Sequence, residues 1–196
     1  MEWVTSTQLL NELESSNDGD AWEYFCGFFH PMVVNFARKL GLPDSLSEDA
    51  AQETLQTFIK IFRAGKFDKK QGRLSKWLSG IAYRVILNMR KNLPREKLIH
   101  NNQTGTSFWN MIEDENAVRH TWNTEWRKLV LKHCIHQARR KFSPDTFKAF
   151  ELHSLSEIPT AEVARQLSIS TNAVYIANCR VLKELRQIEQ QLLKTI

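Results

Sequence analysis

Apolar residues recur at intervals of three and four along most of this chain, and the strict alternation typical of strands is rare. This pattern predicts an all-α fold. Two helices are expected first, over residues 8–13 and 21–40, and Pro31 is expected to kink or interrupt the second. Ser47 is the candidate N-cap of the next helix. The inward face of that helix carries Ala51, Leu55, Phe58, Ile59 and Phe62.

A longer helix is predicted over residues 73–92, with bases on one side and apolar residues on the other. Residues 93–118 are polar and only weakly periodic, which is typical of a connecting segment. We therefore predict two small helical domains, at residues 1–93 and 120–196, joined by a flexible linker at residues 94–119.

The segment from Thr160 to Tyr175 fits a helix-turn-helix. Thr160 is a candidate cap of the first helix, and Ala164 is small enough for a second helix to cross closely. Residues 168–170 predict the turn, with Ile169 filling the space between the helices. Such a second helix can lie in the major groove with its N-terminal side chains at base edges. A plain helical hairpin that packs on a bundle is the structural alternative.

The 196 residues carry a net charge of +5, and this charge is distributed in blocks. Residues 71–100 hold seven bases and one acid, and residues 127–148 hold the same numbers. Acids dominate residues 1–37 and 101–126. Basic surfaces attract the phosphate backbone and release its counterions, although a charge run is more commonly a solvated helix face. The blocks suggest two basic surfaces separated by an acidic connector.

The remaining chemistry gives no sign of an enzyme. Cys26, Cys134 and Cys179 are scattered, which favours free thiols over a disulfide framework or a zinc site. His133 and His136 are three residues apart, but no third ligand lies nearby in the sequence. Without a Gly-rich phosphate loop or a nucleophile elbow, we expect no catalysis, no cofactor and no metal. The short apolar runs and the lack of a signal-peptide pattern predict a cytoplasmic protein without membrane insertion.

From residue 16 to residue 186, these blocks resemble bacterial RNA polymerase sigma factors of the extracytoplasmic-function (ECF) type, in the family's order. The segment at residues 47–55, which continues through residues 58–68, resembles the family's helix that docks on the clamp coiled coil of the polymerase's largest subunit. The resemblance implies that core RNA polymerase is a partner and that exposed polar residues of this helix bind it. These residues are Asp49, Gln52 and Glu53.

Residues 72–91 resemble the family's helix for the minus-ten promoter element. The loop before it, residues 67–73, resembles the loop that captures an unstacked base of the non-template strand. Arg84 and Asn88 stand where the family often has Asn and Asp. The resemblance implies that promoter DNA is contacted here by Lys69, Lys70, Arg73, Lys76, Tyr83, Arg84, Arg90 and Lys91.

The helix-turn-helix resembles the family's domain that reads the minus-thirty-five element. Tyr175 and Ala177 stand where the family commonly has Lys and Arg, so this recognition helix attracts phosphates less strongly. Five bases of this domain are expected to compensate: Arg139, Arg140, Lys141, Arg165 and Arg180. The implied DNA contacts are Arg165, Thr171, Asn172, Tyr175, Ile176, Cys179, Arg180 and Lys183.

The resemblance also bears on partners and regulation. In the family the linker threads through the polymerase toward the active-site cleft, and an anti-sigma factor often holds the free protein inactive. An anti-sigma factor is therefore a further partner that the resemblance admits. Residues 1–20 are expected to pack on the first domain as a small helix. The alternative function is a self-sufficient helix-turn-helix regulator, which would footprint duplex DNA without polymerase.

Overall fold

The computed structural model describes residues 12–13, 19–68, 74–92 and 115–193. Over this part of the chain the regular structure is helical and contains no strand, which confirms the predicted all-α class. The described residues divide into two compact units, with the boundary between Leu129 and Val130. The helices are α1 (Gly19–Lys39), α2 (Asp44–Arg63), α3 (Leu74–Lys91), α4 (Glu115–Lys141), α5 (Pro144–Phe150), α6 (Thr160–Leu167) and α7 (Thr171–Leu193), and a π-helical segment (Glu151–Leu155) follows α5.

Two predictions fall largely outside the described residues. One is the packing of residues 1–20 on the first domain, of which Leu13 is described and is buried. The other is the flexible linker at residues 94–119. The described part of that linker, residues 115–119, is helical and forms the start of α4.

Helix α1 is continuous from Gly19 to Lys39, so of the two effects predicted for Pro31, a kink or an interruption, the interruption is wrong. Proline lacks the N–H that would bond the carbonyl of Gly27, and its ring crowds that carbonyl. Both residues lie on the exposed side of α1, where water can bond the carbonyl that proline leaves free. The opposite side packs in the core through Ala21, Trp22, Phe25, Phe29, Met32, Val33, Val34, Phe36 and Ala37.

Helix α2 begins at Asp44, directly after Pro43, so Ser47 is not its N-cap as predicted. Ser47 lies inside the first turn and is buried. Its backbone N–H donates to the carbonyl of Pro43 at 2.8 Å, and its hydroxyl donates to the carbonyl of Leu42 at 3.2 Å. A serine hydroxyl can bond local backbone from either place, so the residue type alone did not fix the helix start.

Aromatic rings form much of the core of the first unit. Phe25 of α1 stacks on Phe58 of α2 with ring centroids 5.0 Å apart, and both rings are fully buried. Phe67, which follows α2, meets Trp77 of α3 edge-on at 5.5 Å. Ring pairs of this kind add about 0.5–1.5 kcal/mol each beyond simple burial. Because these rings fix one side of α2 and α3, the opposite sides are held toward solvent.

The first half of α4 also belongs to the first unit. Trp122 is 2% exposed, its ring meets Phe36 edge-on at 5.0 Å, and its indole N–H donates to the hydroxyl of Ser75 at 3.0 Å. One turn later, Trp126 stacks on Phe29 at 5.8 Å. The two tryptophans thus pack α4 against α1 and against the start of α3.

A buried carboxylate lies between the two tryptophans. Glu125 is 3% exposed, and its oxygen lies 2.7 Å from Lys39 Nζ and 3.1 Å from Lys128 Nζ. Burial raises the pKa of Glu125, but hydrogen bonds and charge from the two lysines outweigh burial and hold the pKa below its usual value. This buried ion pair ties α4 to α1, so residue 120, the predicted start of the second domain, lies within the first unit.

The second unit packs α5, α6 and α7 around a core of small side chains. In the second half of α4, Cys134 is buried, and burial, with a smaller effect from Glu189, raises the pKa of its thiol to about 11. A thiol with so high a pKa stays protonated and unreactive near neutral pH. The core cluster consists of Ala149, Val163, Ala164, Val174 and Ala177, with Leu152, Ile158, Leu167 and Ile169 packed against it.

Candidate functional site

The outward face of α2 carries the residues that the sequence predicted for polymerase binding. Asp49, Gln52 and Glu53 are all exposed. At about 100° per residue they share one side of the helix. The opposite side is buried, and its polar groups, the hydroxyls of Ser47 and Thr54, donate to backbone carbonyls at 3.2 and 2.7 Å. The three polar side chains can therefore be replaced without removing core packing.

Two other acids of α2 are engaged by α1. Asp44 pairs with Arg38 at 2.8 Å, and Glu48 lies 3.6 Å from the same guanidinium and 3.5 Å from His30 Nε2. These contacts draw Asp44 and Glu48 toward α1, whereas Asp49 and Glu53 project from the outward face. The helix therefore presents negative charge and amide groups to any partner that approaches this side.

The residues predicted for the minus-ten element include four on one side of α3, three outside the described residues, and Arg90, which is buried. Lys76, Arg84 and Lys91 are exposed and Tyr83 is half-buried, and together they occupy one side of α3 within an arc of about 100°. The structure therefore brings these four together on a basic face. Lys69, Lys70 and Arg73 lie outside the described residues.

Arg90 is placed differently from its neighbours. It is 6% exposed and lies four residues after Ile86, on the buried side of α3. Burial lowers the pKa of its guanidinium, and the charge of Tyr83 opposes this effect. Arg90 is therefore less accessible than Lys76, Arg84 and Lys91, and its contact with DNA stays a prediction from the resemblance. Charged residues are rarely buried, and apolar periodicity did not indicate this burial.

The turn between α6 and α7 lies at residues 168–170, where it was predicted. Ser168 adopts a left-handed backbone with φ 53° and ψ 39°. Its N–H donates to the carbonyl of Arg165 at 3.4 Å, and the N–H of Ile169 donates to the carbonyl of Ala164 at 3.0 Å. This pair of bonds is the Schellman pattern that ends a helix. It places Ile169 against the core between the two helices, as expected.

The N-caps of α6 and α7 differ from each other. Thr160 is the first residue of α6 and Pro159 is its N-cap, so the predicted capping role of Thr160 is wrong. The carbonyl of Pro159 accepts the N–H groups of Glu162 and Val163 instead. Before α7, the hydroxyl of Ser170 accepts the N–H of Ala173 at 3.1 Å, which is a typical side-chain cap.

The outward face of α7 is the predicted recognition face, and every residue predicted for it is exposed. Tyr175 is 55% exposed and Ile176 is 50% exposed, which leaves two large apolar side chains in solvent. The inward side of α7 is buried through Val174, Ala177 and Val181. The exposed predicted residues of α7 are Thr171, Asn172, Tyr175, Ile176, Cys179, Arg180 and Lys183.

Several bases of the second unit are paired with acids of the same unit. Two side-chain hydrogen bonds, of 2.9 and 2.6 Å, join Arg165 to Glu162. These bonds, together with one from Gln166, lower the pKa of Glu162 to about 2. Lys141 pairs with Glu184 at 2.6 Å. Each pair reduces the positive charge that its base offers to phosphate.

Two further bases are held by other groups of the unit. Arg139 pairs with Glu151, and the Arg180 guanidinium lies over the ring of Phe142 at 5.7 Å. Arg139, Lys141 and Arg165 were expected to compensate for the missing bases of the recognition helix, but each has a carboxylate partner. Only the Glu162–Arg165 pair, at a spacing of three, was visible in the sequence, because the other partners are distant along the chain.

The π-helical segment was not predicted from the sequence. Its His153 meets the ring of Tyr175 edge-on at 6.1 Å, and the hydroxyl of Ser154 donates to the side-chain oxygen of Asn178. These contacts place the segment along one flank of α7. A single widened turn leaves no clear mark on apolar periodicity, so the sequence carried no signal for it.

The described residues show neither a metal-binding cluster nor a membrane-spanning helix. Among these residues, no group of three or more His, Cys, Asp or Glu side chains is arranged to hold a metal ion. None of the helices described is both long enough and apolar enough to cross a membrane.

The structure thus defines an all-α protein in two compact units with three exposed polar or basic helix faces. Residues 29–95 match the family model described as Sigma-70 region 2. The match covers the second part of α1, all of α2 and all of α3, and it supports membership of the sigma-70 family. Region 2 is the part of a sigma factor that binds core RNA polymerase. A search of curated proteins found no match.

Proposed function

We propose that this chain is a sigma factor of the ECF type that directs core RNA polymerase to specific promoters and initiates transcription there. The Sigma-70 region 2 match over residues 29–95 is the observation that carries this proposal. The sigma-70 family is not a class of enzymes, so the polymerase supplies the chemistry. The finer assignments below rest on the resemblance and on where the side chains lie.

Core polymerase binds the outward face of α2 in this proposal. The exposed carboxylates of Asp49 and Glu53 and the amide of Gln52 form a negative, hydrogen-bonding surface. A basic helical surface on the polymerase would be complementary to it. Exposed charge pairs contribute mainly to association rate and specificity.

Promoter DNA at the minus-ten element binds the basic face of α3. Lys76, Arg84 and Lys91 supply positive charge along one side of the helix, and Tyr83 supplies an aromatic ring among them. Basic grooves with stacking surfaces are the general solution for holding single-stranded DNA. Lys69, Lys70 and Arg73 precede this face in the sequence and would extend it.

The minus-thirty-five element is read by the outward face of α7. Asn172 and Thr171 in the first turn offer hydrogen bonds to base edges, and Tyr175 and Ile176 offer apolar contact. Arg180 and Lys183 lie later on the helix, where contacts to phosphate position the helix without reading sequence. The protein would act in the cytoplasm, and an anti-sigma factor would regulate it by covering the DNA-binding faces.

The polymerase assignment is tested by co-purification of the full chain with bacterial core RNA polymerase. Replacing Asp49 and Gln52 together with Ala should weaken binding severalfold without loss of helicity, because neither side chain packs in the core. Glu23→Ala is the matched control, since Glu23 is an exposed acid of α1 in the same unit. Equal binding by the double variant and the control would contradict the assignment.

Footprinting of duplex DNA with and without core polymerase separates the alternative function. A self-sufficient regulator would bind a specific duplex at physiological salt without polymerase. A sigma factor should select promoters only when core polymerase is present. Specific footprints from the purified chain alone, together with no core binding, would replace the sigma proposal with the regulator.

A further inference from the structure

The π-helical segment beside the recognition face has a geometry that the proposed function leaves unused. It inserts a widened turn between α5 and α6, and π-helical turns occur frequently at functional sites. The N–H of Ser156 donates to the carbonyl of Glu151 at 2.9 Å, and the N–H of Ile158 donates to the carbonyl of Leu152 at 3.0 Å. These two bonds fold residues 156–158 back onto the segment.

This fold-back fixes the ring of His153. The carbonyl of Ile158 lies 3.1 Å from His153 Nδ1. A carbonyl oxygen only accepts hydrogen bonds, so Nδ1 carries the proton and donates. Because the backbone N–H of Ile158 is itself bonded to Leu152, the acceptor cannot move independently of the segment. The half-buried imidazole is therefore held by a hydrogen bond to a fixed backbone carbonyl.

The edge of this fixed ring meets Tyr175. The ring centroids are 6.1 Å apart and the ring planes cross at 81°, which is a favourable edge-to-face arrangement. Tyr175 is otherwise 55% exposed, so an unsupported side chain there would sample several rotamers in solvent. One turn later on the same flank, the hydroxyl of Ser154 bonds the side chain of Asn178. The segment thus supports the flank of α7 at two successive turns.

We infer that His153 is a positioning residue for promoter recognition, which holds the Tyr175 ring in the orientation that contacts one base pair. The inference rests on the proposed function, because it requires α7 to read DNA. It assigns a role in specificity to a residue that would not itself touch DNA.

The test uses holoenzyme assembled from the full chain and core RNA polymerase, transcribing a promoter library randomised across the minus-thirty-five region. Tyr175→Ala first identifies the base position that the tyrosine reads. His153→Ala should weaken the preference at that same position by roughly 2- to 10-fold, the range expected for one aromatic pair. The double variant should lose no more than Tyr175→Ala alone. His153→Phe keeps an aromatic edge toward Tyr175 and should restore much of the preference.

Leu155→Ala is the matched control, because Leu155 is an exposed residue of the same segment. It should leave every base preference unchanged. If His153→Ala lowers transcription equally from all promoters, or leaves the Tyr175 position unchanged, the inference is overturned while the proposed function stands. If the wild-type chain with core polymerase selects no promoter at all, the proposed function fails and the inference fails with it.

Discussion

Replacement of Trp122 by Ala tests whether the first half of α4 is a structural part of the first unit, which contains the residues that match Sigma-70 region 2. The residue lies beyond the predicted boundary at residue 120, yet it is 2% exposed and contacts Phe36 and Ser75. If α4 belonged to a separate domain, the substitution would leave α1 to α3 unaffected. If α4 completes the core, the substitution opens a cavity between α1 and α3.

The expected loss follows from the buried surface. About 200 Å² of side chain at about 25 cal/mol per Å² gives about 5 kcal/mol as an upper value. Buried aromatic-to-Ala changes in other cores cost about 3–5 kcal/mol. We therefore expect a loss of about 3–5 kcal/mol, which is a large share of the stability of an ordinary domain. Trp122→Phe keeps a ring on Phe36 but loses the bond to Ser75, and should cost about 1–2 kcal/mol.

Hydrogen exchange of the full chain, resolved by peptide, measures this effect in the relevant unit. Amides of α1 should exchange faster in Trp122→Ala, by about tenfold for each 1.4 kcal/mol of lost stability. Leu131→Ala is the matched control, because Leu131 is a 53% exposed residue of the same helix and its removal should cost less than about 0.5 kcal/mol. Equal protection of α1 in the two variants would refute the reasoning.

Three further predictions follow from single contacts. Glu162→Gln should release Arg165, so the slope of log K for DNA binding against log salt concentration should become steeper by about 1. Asp145→Asn, which removes another exposed acid, should leave this slope unchanged, and equal slopes in the two variants would contradict the prediction. Ser168→Gly should raise the midpoint of thermal unfolding by stabilising the second unit about 0.5–1 kcal/mol, since glycine adopts the left-handed backbone without strain; a loss of stability would contradict this. The lowered pKa of Glu125 means that its stabilising effect is present above about pH 4.3, the usual value for Glu, and is lost as pH falls through its lower folded pKa. The Glu125→Gln variant should lack the part of the stability loss on acidification that comes from protonation of Glu125. An acid unfolding transition unchanged from the wild type would argue against this role of Glu125.

Periodicity predicted the helices because most of them bury one apolar side. The exposed residues of α2 and α7 were assigned correctly to the solvent side, since an apolar face defines its opposite. The same reasoning did not indicate that Arg90 is buried, because a base at an inward position departs from the pattern on which the reasoning depends. Its burial is decided by tertiary contacts that one helix does not encode.

The packing of the first half of α4 in the first unit was not predicted, for a related reason. This part of α4 is polar overall and includes the buried Glu125, so its pattern did not indicate packing with α1 to α3. Its membership of the first unit depends on Lys39 and Phe36, which are distant along the chain. The predicted N-caps Ser47 and Thr160 lie four residues and one residue after the observed ones, because several nearby groups could satisfy the first backbone N–H groups.

Transcription by core RNA polymerase supplemented with this chain, from a library of promoter fragments, tests the central claim most directly. The proposal predicts stable binding to core polymerase and transcripts from a defined subset of promoters, with neither seen for core polymerase alone. The Asp49 and Gln52 double variant should lose both in parallel. A chain that fails to bind core polymerase, or that binds it without selecting promoters, would contradict the assignment as a sigma factor.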